Sequence, residues 1–264
     1  MLRQRIITAL LLAPVALLVI LWVPHQFTML VLALLVLAGG WEWAAFAGLV
    51  SGAARAGYVA AIALVIAGFW WNGAGEEQLD CVIYASLAWW CLALLWVAFL
   101  PTRMNRALAA IAGFPVLIPA WLALVRLHDR APQLVLFLVL LVVAADVGAY
   151  FGGRQFGRHK LAPRVSPGKT WEGVGGGMVA AALMAIVGVF WFDVPAPAFM
   201  AVSALTVMAS IVGDLTESLF KRHAGLKDSG SLLPGHGGVL DRVDSVTAAA
   251  PVFLIGLERL GLFS

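Results

Sequence analysis

The stretch QLVLFLVLLVVAADVGAYF, residues 133–151, is an apolar run that contains a single charged residue, Asp146. About 20 apolar residues span the hydrocarbon core of a bilayer, so this stretch predicts a transmembrane helix. The whole chain is 62% hydrophobic and 12% charged, with a mean hydropathy of +0.97. Soluble domains are about half apolar, so the composition excludes an ordinary soluble protein and predicts membrane helices.

Eight other stretches repeat this pattern, and together they predict an all-α polytopic membrane protein with about nine transmembrane helices. The first stretch is longer than the apolar region of a signal peptide and ends in WVPHQF rather than at a small-residue cleavage site, so we interpret it as an uncleaved helix. The predicted spans are 6–23, 27–48, 57–71, 81–100, 108–126, 133–151, 174–192, 197–218 and 245–260.

The distribution of basic residues predicts the orientation of these helices. With a cytoplasmic N-terminus, all of the 17 lysines and arginines except Arg126, Arg130 and Arg259 fall on the cytoplasmic side. The segment NGAGEEQLD, residues 72–80, carries three acids and no base, and it falls on the opposite side. An even number of helices would scramble this pattern, so we expect nine helices and an external C-terminus.

The polar residues are concentrated in the C-terminal half of the chain. Residues 1–130 are predicted to form about five membrane helices, a lipid-facing or dimerisation region with few side chains suited to chemistry. Residues 131–264 are predicted to form the catalytic region, which includes two long cytoplasmic loops, 152–173 and 219–244. Candidate functional residues are therefore expected on one face of the membrane.

The segment IVGDLTESLFKR, residues 211–222, places two acids at the predicted cytoplasmic end of an apolar helix. Asp214, Glu217 and Ser218 are three or four residues apart, so their side chains share a helix face. A carboxylate in a membrane helix is unfavourable by about 2.5–3.5 kcal/mol at the centre, which indicates a cation or a water-filled site. Alternatively, the acids lie at headgroup level and pair with the neighbouring Lys221 and Arg222.

Asp241 and Asp244 are also three residues apart, at the start of the last predicted helix. One interpretation is N-capping, because aspartate is a favoured cap and suits the positive end of the helix dipole. Two such acids together with Asp214 and Glu217 instead predict a site for a hard cation. Mg²⁺ prefers carboxylate oxygens and retains positions for water and a substrate phosphate.

Two glycine-containing segments supply candidate phosphate ligands. In PGHGG, residues 234–238, the glycines permit positive φ and consecutive N–H groups can surround an anion, although an ordinary interfacial turn explains the same pattern. In SPGKTWEG, residues 166–173, three side chains form a compact set of phosphate donors: Ser166, Lys169 and Thr170. Acids for a metal and bases for phosphates on one membrane face favour phosphoryl or nucleotidyl transfer between a soluble triphosphate and a lipid.

Two nearby patterns do not match nucleotide-binding motifs. The GKT triplet is not a P-loop, because Pro163 occupies a required glycine position and no strand is expected before it. GVGGGM, residues 173–178, is not a dinucleotide fingerprint. Its Gly173 and Gly177 are spaced for close helix packing through small residues.

The polar segments resemble a known family. The segment SLFKRHAGLKDSGSLLPGHGGVLDRVD, residues 218–244, is similar to the signature of the phosphatidate cytidylyltransferases (CDP-diacylglycerol synthases). The segment 146–173 resembles the family's upstream block, with Val147 and Gly168 in place of the usual threonine and lysine. The fixed signature positions are all present, namely Ser218, Lys221, Arg222, Lys227, Asp228, His236, Gly237, Gly238, Asp241, Arg242 and Asp244.

The resemblance implies an integral membrane enzyme that condenses CTP with phosphatidic acid, giving CDP-diacylglycerol and pyrophosphate in phospholipid biosynthesis with Mg²⁺ as cofactor. The expected metal ligands are Asp214, Asp241 and Asp244, with Glu217 and Asp146 as second choices. The expected ligands for the phosphates of CTP or of the lipid are Lys221, Arg222, Lys227 and Arg242. The expected nucleotide-binding residues are Ser166, Lys169, Thr170, His236, Gly237 and Gly238.

The resemblance also implies a location and partners. We expect a multi-pass protein of a bacterial-type inner membrane whose active site faces the cytoplasm. The expected partners are CTP, phosphatidic acid and membrane lipid, with no nucleic acid, and the family suggests a homodimer. An acid cluster of this kind also has room for a second, monovalent cation.

Three other functions compete with this interpretation. A transferase that acts on another lipid phosphate shares the chemistry, but the intact segment 218–244 argues against it. A transporter would use the acids as a proton or cation path, and it predicts acids near helix midpoints and broken helices, whereas these acids are expected at helix ends. A non-catalytic scaffold gives no reason for four acids at helical spacing beside a glycine-rich loop.

Overall fold

The computed structural model describes residues 2–71, 75–101, 104–232, 235 and 237–263, and its regular structure is almost entirely helical. Two short strands form an antiparallel hairpin, β1 (Lys160–Ala162) and β2 (Ser166–Thr170). The helices of the described residues are α1 (Leu2–Trp22), α2 (His25–Phe46), α3 (Gly52–Trp71), α4 (Glu76–Phe99), α5 (Arg106–Arg130), α6 (Pro132–Phe156), α7 (Trp171–Phe192), α8 (Ala196–His223) and α9 (Leu240–Arg259).

Seven helices, α2 to α8, are long and apolar enough to cross a membrane. In α1 the described side chains form a shorter apolar segment, Ala13–Trp22. α9 has the length of a span, but it carries charged residues in its first turns and at its end. Large apolar side chains such as Trp71 and Phe190 are exposed, as expected for a surface that faces lipid. The all-α polytopic class is confirmed, while the count of nine spans stays a prediction.

Several helices extend beyond the predicted spans, and for α6 and α8 this changes the position of candidate site residues. α6 ends at Phe156 rather than at 151, and α8 ends at His223 rather than at 218. At 1.5 Å per residue, Asp146 and Asp214 therefore lie about 14–15 Å from the C-terminal residues of their helices. The expectation that these two acids lie at helix ends was wrong, so their position no longer argues against a transporter.

The two long segments that were predicted as cytoplasmic loops have different structures. Segment 152–173 contains the end of α6, the β1–β2 hairpin and the first turn of α7. The hairpin is joined to α7 where the N–H of Trp171 donates to the carbonyl oxygen of His159 at 2.9 Å. Segment 219–244 contains the last turn of α8 and the first turn of α9, and the described residues between them form neither a helix nor a strand of the β1–β2 hairpin.

α6 and α7 pack against each other through small residues. A Cβ added at Gly173 would lie 3.0 Å from the carbonyl oxygen of Ala149, and one added at Gly177 would lie 2.9 Å from that of Ala145. The prediction that Gly173 and Gly177 serve helix packing is therefore confirmed. This close approach holds β2 and the start of α7 against the helix that carries Asp146.

Charged residues at the far end of α9 form an arginine cluster, which we define as Asp80, Arg126, Arg130 and Glu258. Arg126 lies 2.5 Å from Asp80 and 3.9 Å from Glu258, and Arg130 lies 2.5 Å from Glu258. Two of the three arginines that depart from the predicted charge asymmetry are thus paired with acids. The third, Arg259, lies over the ring of Tyr84 at 5.0 Å from its centroid.

Candidate active site

The opposite end of α9 lies among five acids, which we call the acid cluster: Asp146, Asp214, Glu217, Asp241 and Asp244. They come from three helices, α6, α8 and α9. Lys169, on strand β2, reaches this cluster from the hairpin, with its Nζ 2.6 Å from Oδ2 of Asp214. The Oγ of Ser218 donates to Oδ1 of Asp214 at 3.3 Å, which confirms that these two residues share a helix face.

A cavity of about 450 Å³ opens beside Lys169 and Asp214. Its walls come from α6, the hairpin, α7 and α8, and they include Asp146, Tyr150 and Thr170. Thr170 is the N-cap of α7, because its Oγ1 accepts from the N–H of Gly173 at 3.1 Å. The volume falls in the range of small-molecule pockets, about 300–1,000 Å³. The cavity therefore combines the size of a ligand site with both signs of charge.

Lys221 joins two members of the acid cluster. Its Nζ lies 3.1 Å from Oε1 of Glu217 and 2.7 Å from Oδ1 of Asp241. The contact with Glu217 is an ion pair by distance alone, because neither buried oxygen of Glu217 has a hydrogen-bond partner of suitable geometry. A buried carboxylate whose oxygens lack hydrogen bonds is strongly unfavourable. Glu217 therefore has unused capacity to bind a cation or a proton.

Asp241 organises the loop before α9. Its Oδ2 accepts from the backbone N–H of Ser229, the Oγ of Ser229 and the N–H of Gly238, each at 2.9 Å. A Cβ at Gly237 would lie 2.9 Å from the same oxygen, and the φ of Gly237 is +83°. Asp241 thus binds groups of its own loop, and the N–H of Gly238 contacts this carboxylate instead of facing a free anion site.

Glu42, on α2, binds the same loop from the other side. This residue is only 2% exposed. Its carboxylate accepts from the N–H of Val239 at 3.0 Å, the N–H of Leu240 at 2.9 Å and the Oγ of Ser229 at 3.0 Å. Glu42 therefore satisfies the backbone donors at the start of α9, which was the role considered for the aspartates.

Asp244 lies deeper in the cluster. It is close enough to both Asp214 and Glu217 for their carboxylates to repel one another. A Cβ at Gly213 would lie 2.6 Å from the carbonyl oxygen of Asp244, so glycine permits this close contact between α8 and α9. The N-terminal half also reaches this point, because Trp43 lines the small buried pocket that Glu217 and Asp244 share.

The chemistry of these donors fits a hard cation. Among the described residues, no group of three or more His, Cys, Asp or Glu side chains is arranged to hold a metal ion. A Mg²⁺ site requires fewer protein ligands, because Mg²⁺ commonly binds one or two carboxylates and completes its coordination with water and substrate phosphates. Asp214 and Asp244 provide such a pair, and their mutual repulsion would be relieved by a cation.

The remaining predicted residues lie outside this group. Nε of Arg222 lies 3.4 Å from the carbonyl oxygen of Val165, so Arg222 contacts the hairpin. Lys227 is exposed in the loop before α9, and Arg242 lines a separate apolar cavity. Ser166 belongs to β2 but does not line the 450 Å³ cavity. His236 lies outside the described residues.

Comparison with known proteins identifies the family. The family model described as "Cytidylyltransferase family" matches residues 3–260. The chain belongs to the cytidylyltransferase family. It is 44% identical to a phosphatidate cytidylyltransferase of Pseudomonas aeruginosa, over 99% of this chain and 98% of the relative. It is 40% identical to one of Haemophilus influenzae, over 96% and 97%. A Staphylococcus saprophyticus phosphatidate cytidylyltransferase is 32% identical over 77% of this chain and 80% of its own length.

Glu42 is the residue of this cytidylyltransferase-family chain that the sequence interpretation missed. It is the one charged residue of the apolar stretch 27–48. A charged residue inside a membrane helix generally has a buried partner or a function, and that signal was present. Its partners lie almost 200 positions away in the chain, at Ser229, Val239 and Leu240, so the sequence could not identify them.

Proposed function

We propose that this chain is a Mg²⁺-dependent phosphatidate cytidylyltransferase that condenses CTP with phosphatidic acid to give CDP-diacylglycerol and pyrophosphate. Two relatives carry that name, and the match with this chain covers nearly the whole length of each. The structural observation that supports it most is the contact of Lys169 with Asp214 beside the 450 Å³ cavity. A base for phosphate and an acid for metal thus meet where a nucleotide has room to bind.

The chemical step needs no strong base. A phosphate oxygen of phosphatidic acid attacks the α-phosphorus of CTP, the bond from that phosphorus to the bridging oxygen breaks, and pyrophosphate leaves with that oxygen. The obstacle is repulsion between two anions. Lys169 faces the cavity, and we assign it to neutralise the triphosphate, while Lys221 holds Asp241 and Glu217 in place. Fixed positive groups of this kind stabilise charge that develops in the transition state.

Asp214 and Asp244 are the proposed Mg²⁺ ligands, with Asp146 beside them across the cavity. These carboxylates would hold Mg²⁺, which would supply positive charge to offset the charge on the leaving pyrophosphate. Asp241 is a weaker candidate than the sequence indicated, because both of its oxygens already bind Lys221 and the loop. Glu217 is the proposed ligand for a second, monovalent cation.

The proposed setting follows from the charge asymmetry and the resemblance. The chain would cross a bacterial inner membrane nine times, with a cytoplasmic N-terminus, an external C-terminus and an active site that faces the cytoplasm. It would act as a homodimer with CTP, phosphatidic acid and membrane lipid as partners, and without nucleic acid. Arg222, Lys227, His236 and Arg242 are proposed to contact substrate phosphates once the substrates are bound.

Pyrophosphate release by the detergent-purified protein tests this function. The assay supplies CTP, phosphatidic acid and Mg²⁺, with UTP and a polyprenyl phosphate as alternative substrates. We expect release that requires phosphatidic acid, prefers CTP, stops with EDTA and returns when Mg²⁺ is restored. Asp214→Asn is the test variant, and Asp80→Asn in the arginine cluster is the matched control.

Each other outcome is informative. Release that requires the polyprenyl phosphate would replace the proposed lipid acceptor and keep the nucleotidyl transfer. Release that persists in EDTA would contradict the Mg²⁺ dependence. A folded protein that releases no pyrophosphate with any of these lipids would contradict the proposed function, and cation flux in liposomes would then test transport.

A further inference from the structure

A second cavity lies on the other side of α9 from the acid cluster. It has a volume of about 350 Å³ and is lined by residues of α1, α2, α5, α6 and α9. Among the residues of this wall whose side chains the structure describes, Arg242 is the one charged residue, and most of the others are valine, leucine, isoleucine or alanine. The hydroxyls of Thr28 and Thr247 in its wall donate to backbone carbonyls. The cavity therefore suits an apolar ligand with an anionic group at one end.

The dimensions of this cavity match part of a lipid. Its wall on α2 extends from Thr28 to Gly39, which corresponds to about 16 Å at 1.5 Å per residue. The hydrocarbon core of a bilayer is about 30 Å thick, so one acyl chain occupies about half of that distance. A volume of 350 Å³ is suited to a single chain rather than to a complete two-chain lipid.

The first turns of α9 connect this cavity with the candidate active site. Leu240, Arg242 and Val243 line the apolar cavity, whereas Asp241 and Asp244 belong to the acid cluster. Neighbouring residues of one short segment thus belong to the two different sites. A lipid whose chain fills the cavity would place its headgroup at the segment that carries the acids.

We propose that this apolar cavity binds one acyl chain of the phosphatidic acid substrate, with Arg242 beside the lipid phosphate. The inference rests on the proposed function, and it adds the position and the chain-length dependence of lipid binding. It also assigns a role to the N-terminal half, because α1, α2 and α5 supply most of the wall. The cavity should then favour long acyl chains over short ones.

A cavity-filling variant tests the proposal by kinetics. Val139 lines the cavity on α6, whereas Val143, one turn later on the same helix, is 51% exposed and lies outside it. In mixed micelles, Val139→Trp should raise the KM for dipalmitoyl phosphatidic acid about tenfold, the effect of losing about two buried CH₂ groups. The KM for dioctanoyl phosphatidic acid should change less than twofold. Val143→Trp should resemble the unmodified protein with both lipids.

Photolabelling tests occupancy directly, and it does not depend on a variant that folds. Phosphatidic acid with a diazirine near the end of one acyl chain is irradiated with the unmodified protein, and the labelled peptides are identified by mass spectrometry. Label should fall within 15–36 or 117–139 and be displaced by dipalmitoyl phosphatidic acid but not by phosphatidylcholine.

The results separate the two proposals. Label confined to the outer surface near Val143, or displaced equally by phosphatidylcholine, would overturn the acyl-chain site. Equal KM values for Val139→Trp and Val143→Trp with dipalmitoyl phosphatidic acid would also overturn it, even if the enzyme is active. Absence of turnover with phosphatidic acid of either chain length would instead contradict the proposed function.

Discussion

The two ends of α9 carry charged clusters of different composition. In the arginine cluster, two arginines meet two acids, and ion pairs connect Asp80 through Arg126 and Glu258 to Arg130. In the acid cluster, two lysines lie among five acids from three helices. One end is matched in charge, and the other has a surplus of carboxylates.

This difference indicates what each cluster does. A balanced ion-pair network satisfies its own charges and serves to join α4, α5 and α9 at one end. Buried carboxylates in excess repel one another, and each ion removed from water is unfavourable by several kcal/mol unless it is compensated. An unbalanced cluster beside a cavity is therefore arranged to bind cations and a charged ligand, which a structural cluster does not require.

Neutralising one acid in each cluster should give the largest expected difference in activity between the two clusters. Asp214→Asn should reduce kcat/KM for CTP by about 1,000-fold, which corresponds to about 4 kcal/mol of transition-state stabilisation. The variant loses a proposed metal ligand and the ion pair with Lys169. Asp80→Asn should leave kcat/KM within about threefold, because its partner Arg126 lies at the far end of α9. Both variants are measured by pyrophosphate release.

Thermal stability decides whether the effect at Asp214 is functional. Asp214→Asn removes one carboxylate from the excess in the acid cluster. The melting temperature in detergent should therefore be unchanged or raised, since repulsion with Asp244 is relieved. A melting temperature that falls together with activity would instead make Asp214 a structural residue, and the contrast between the two clusters would fail.

The next effect concerns the buried acid that is fully hydrogen-bonded. Glu42→Ala removes the acceptor for the N–H groups of Val239 and Leu240 and leaves these buried donors unsatisfied, while Ser229 keeps Asp241 as an acceptor. We expect a loss of about 3 kcal/mol in the free energy of unfolding. Glu77→Ala, at an exposed position in the first turn of α4, should change stability by less than about 0.5 kcal/mol.

Activity adds a second readout for Glu42. If Glu42 positions the loop that holds Asp241, the folded fraction of Glu42→Ala at low temperature should still show a reduced kcat with phosphatidic acid. Full kcat in that fraction would limit Glu42 to a role in stability. Denaturant titration in detergent, followed by helical circular dichroism, measures the free energy for both variants.

Periodicity and composition predict the helical part of this fold well. The apolar stretches identify the helices of the described residues, because length and hydropathy are local properties that a bilayer selects. Helical spacing correctly groups Asp214 with Ser218, and small-residue spacing correctly identifies Gly173 and Gly177 as packing positions. These predictions depend on residues that are three to four positions apart.

Features that depend on distant contacts were not predictable in this way. The C-terminal ends of α6 and α8 were predicted too early in the sequence. Polar residues are typical of a helix end, but they also occur within a helix that borders a polar cavity. The β1–β2 hairpin has strands of three and five residues, too short for a clear alternating pattern. The contacts of Asp241 with its own loop and of Glu42 with α9 depend on tertiary structure alone.

The smallest expected effect compares two N-caps. Thr170 caps α7 at the cavity, and Asn105 caps α5 away from it by accepting from the N–H of Leu108 at 2.7 Å. Each substitution to alanine should lower the free energy of unfolding by about 1 kcal/mol, the usual value for a lost cap. Thr170→Ala should in addition raise the KM for CTP, because Thr170 lines the proposed nucleotide cavity, whereas Asn105→Ala should not.

Thr170→Ser is the control that keeps the hydroxyl, so it should retain both the stability and the KM for CTP of the unmodified protein. An unchanged KM in Thr170→Ala would show that this hydroxyl caps the helix without contacting the nucleotide, which leaves Lys169 as the hairpin's contribution to binding.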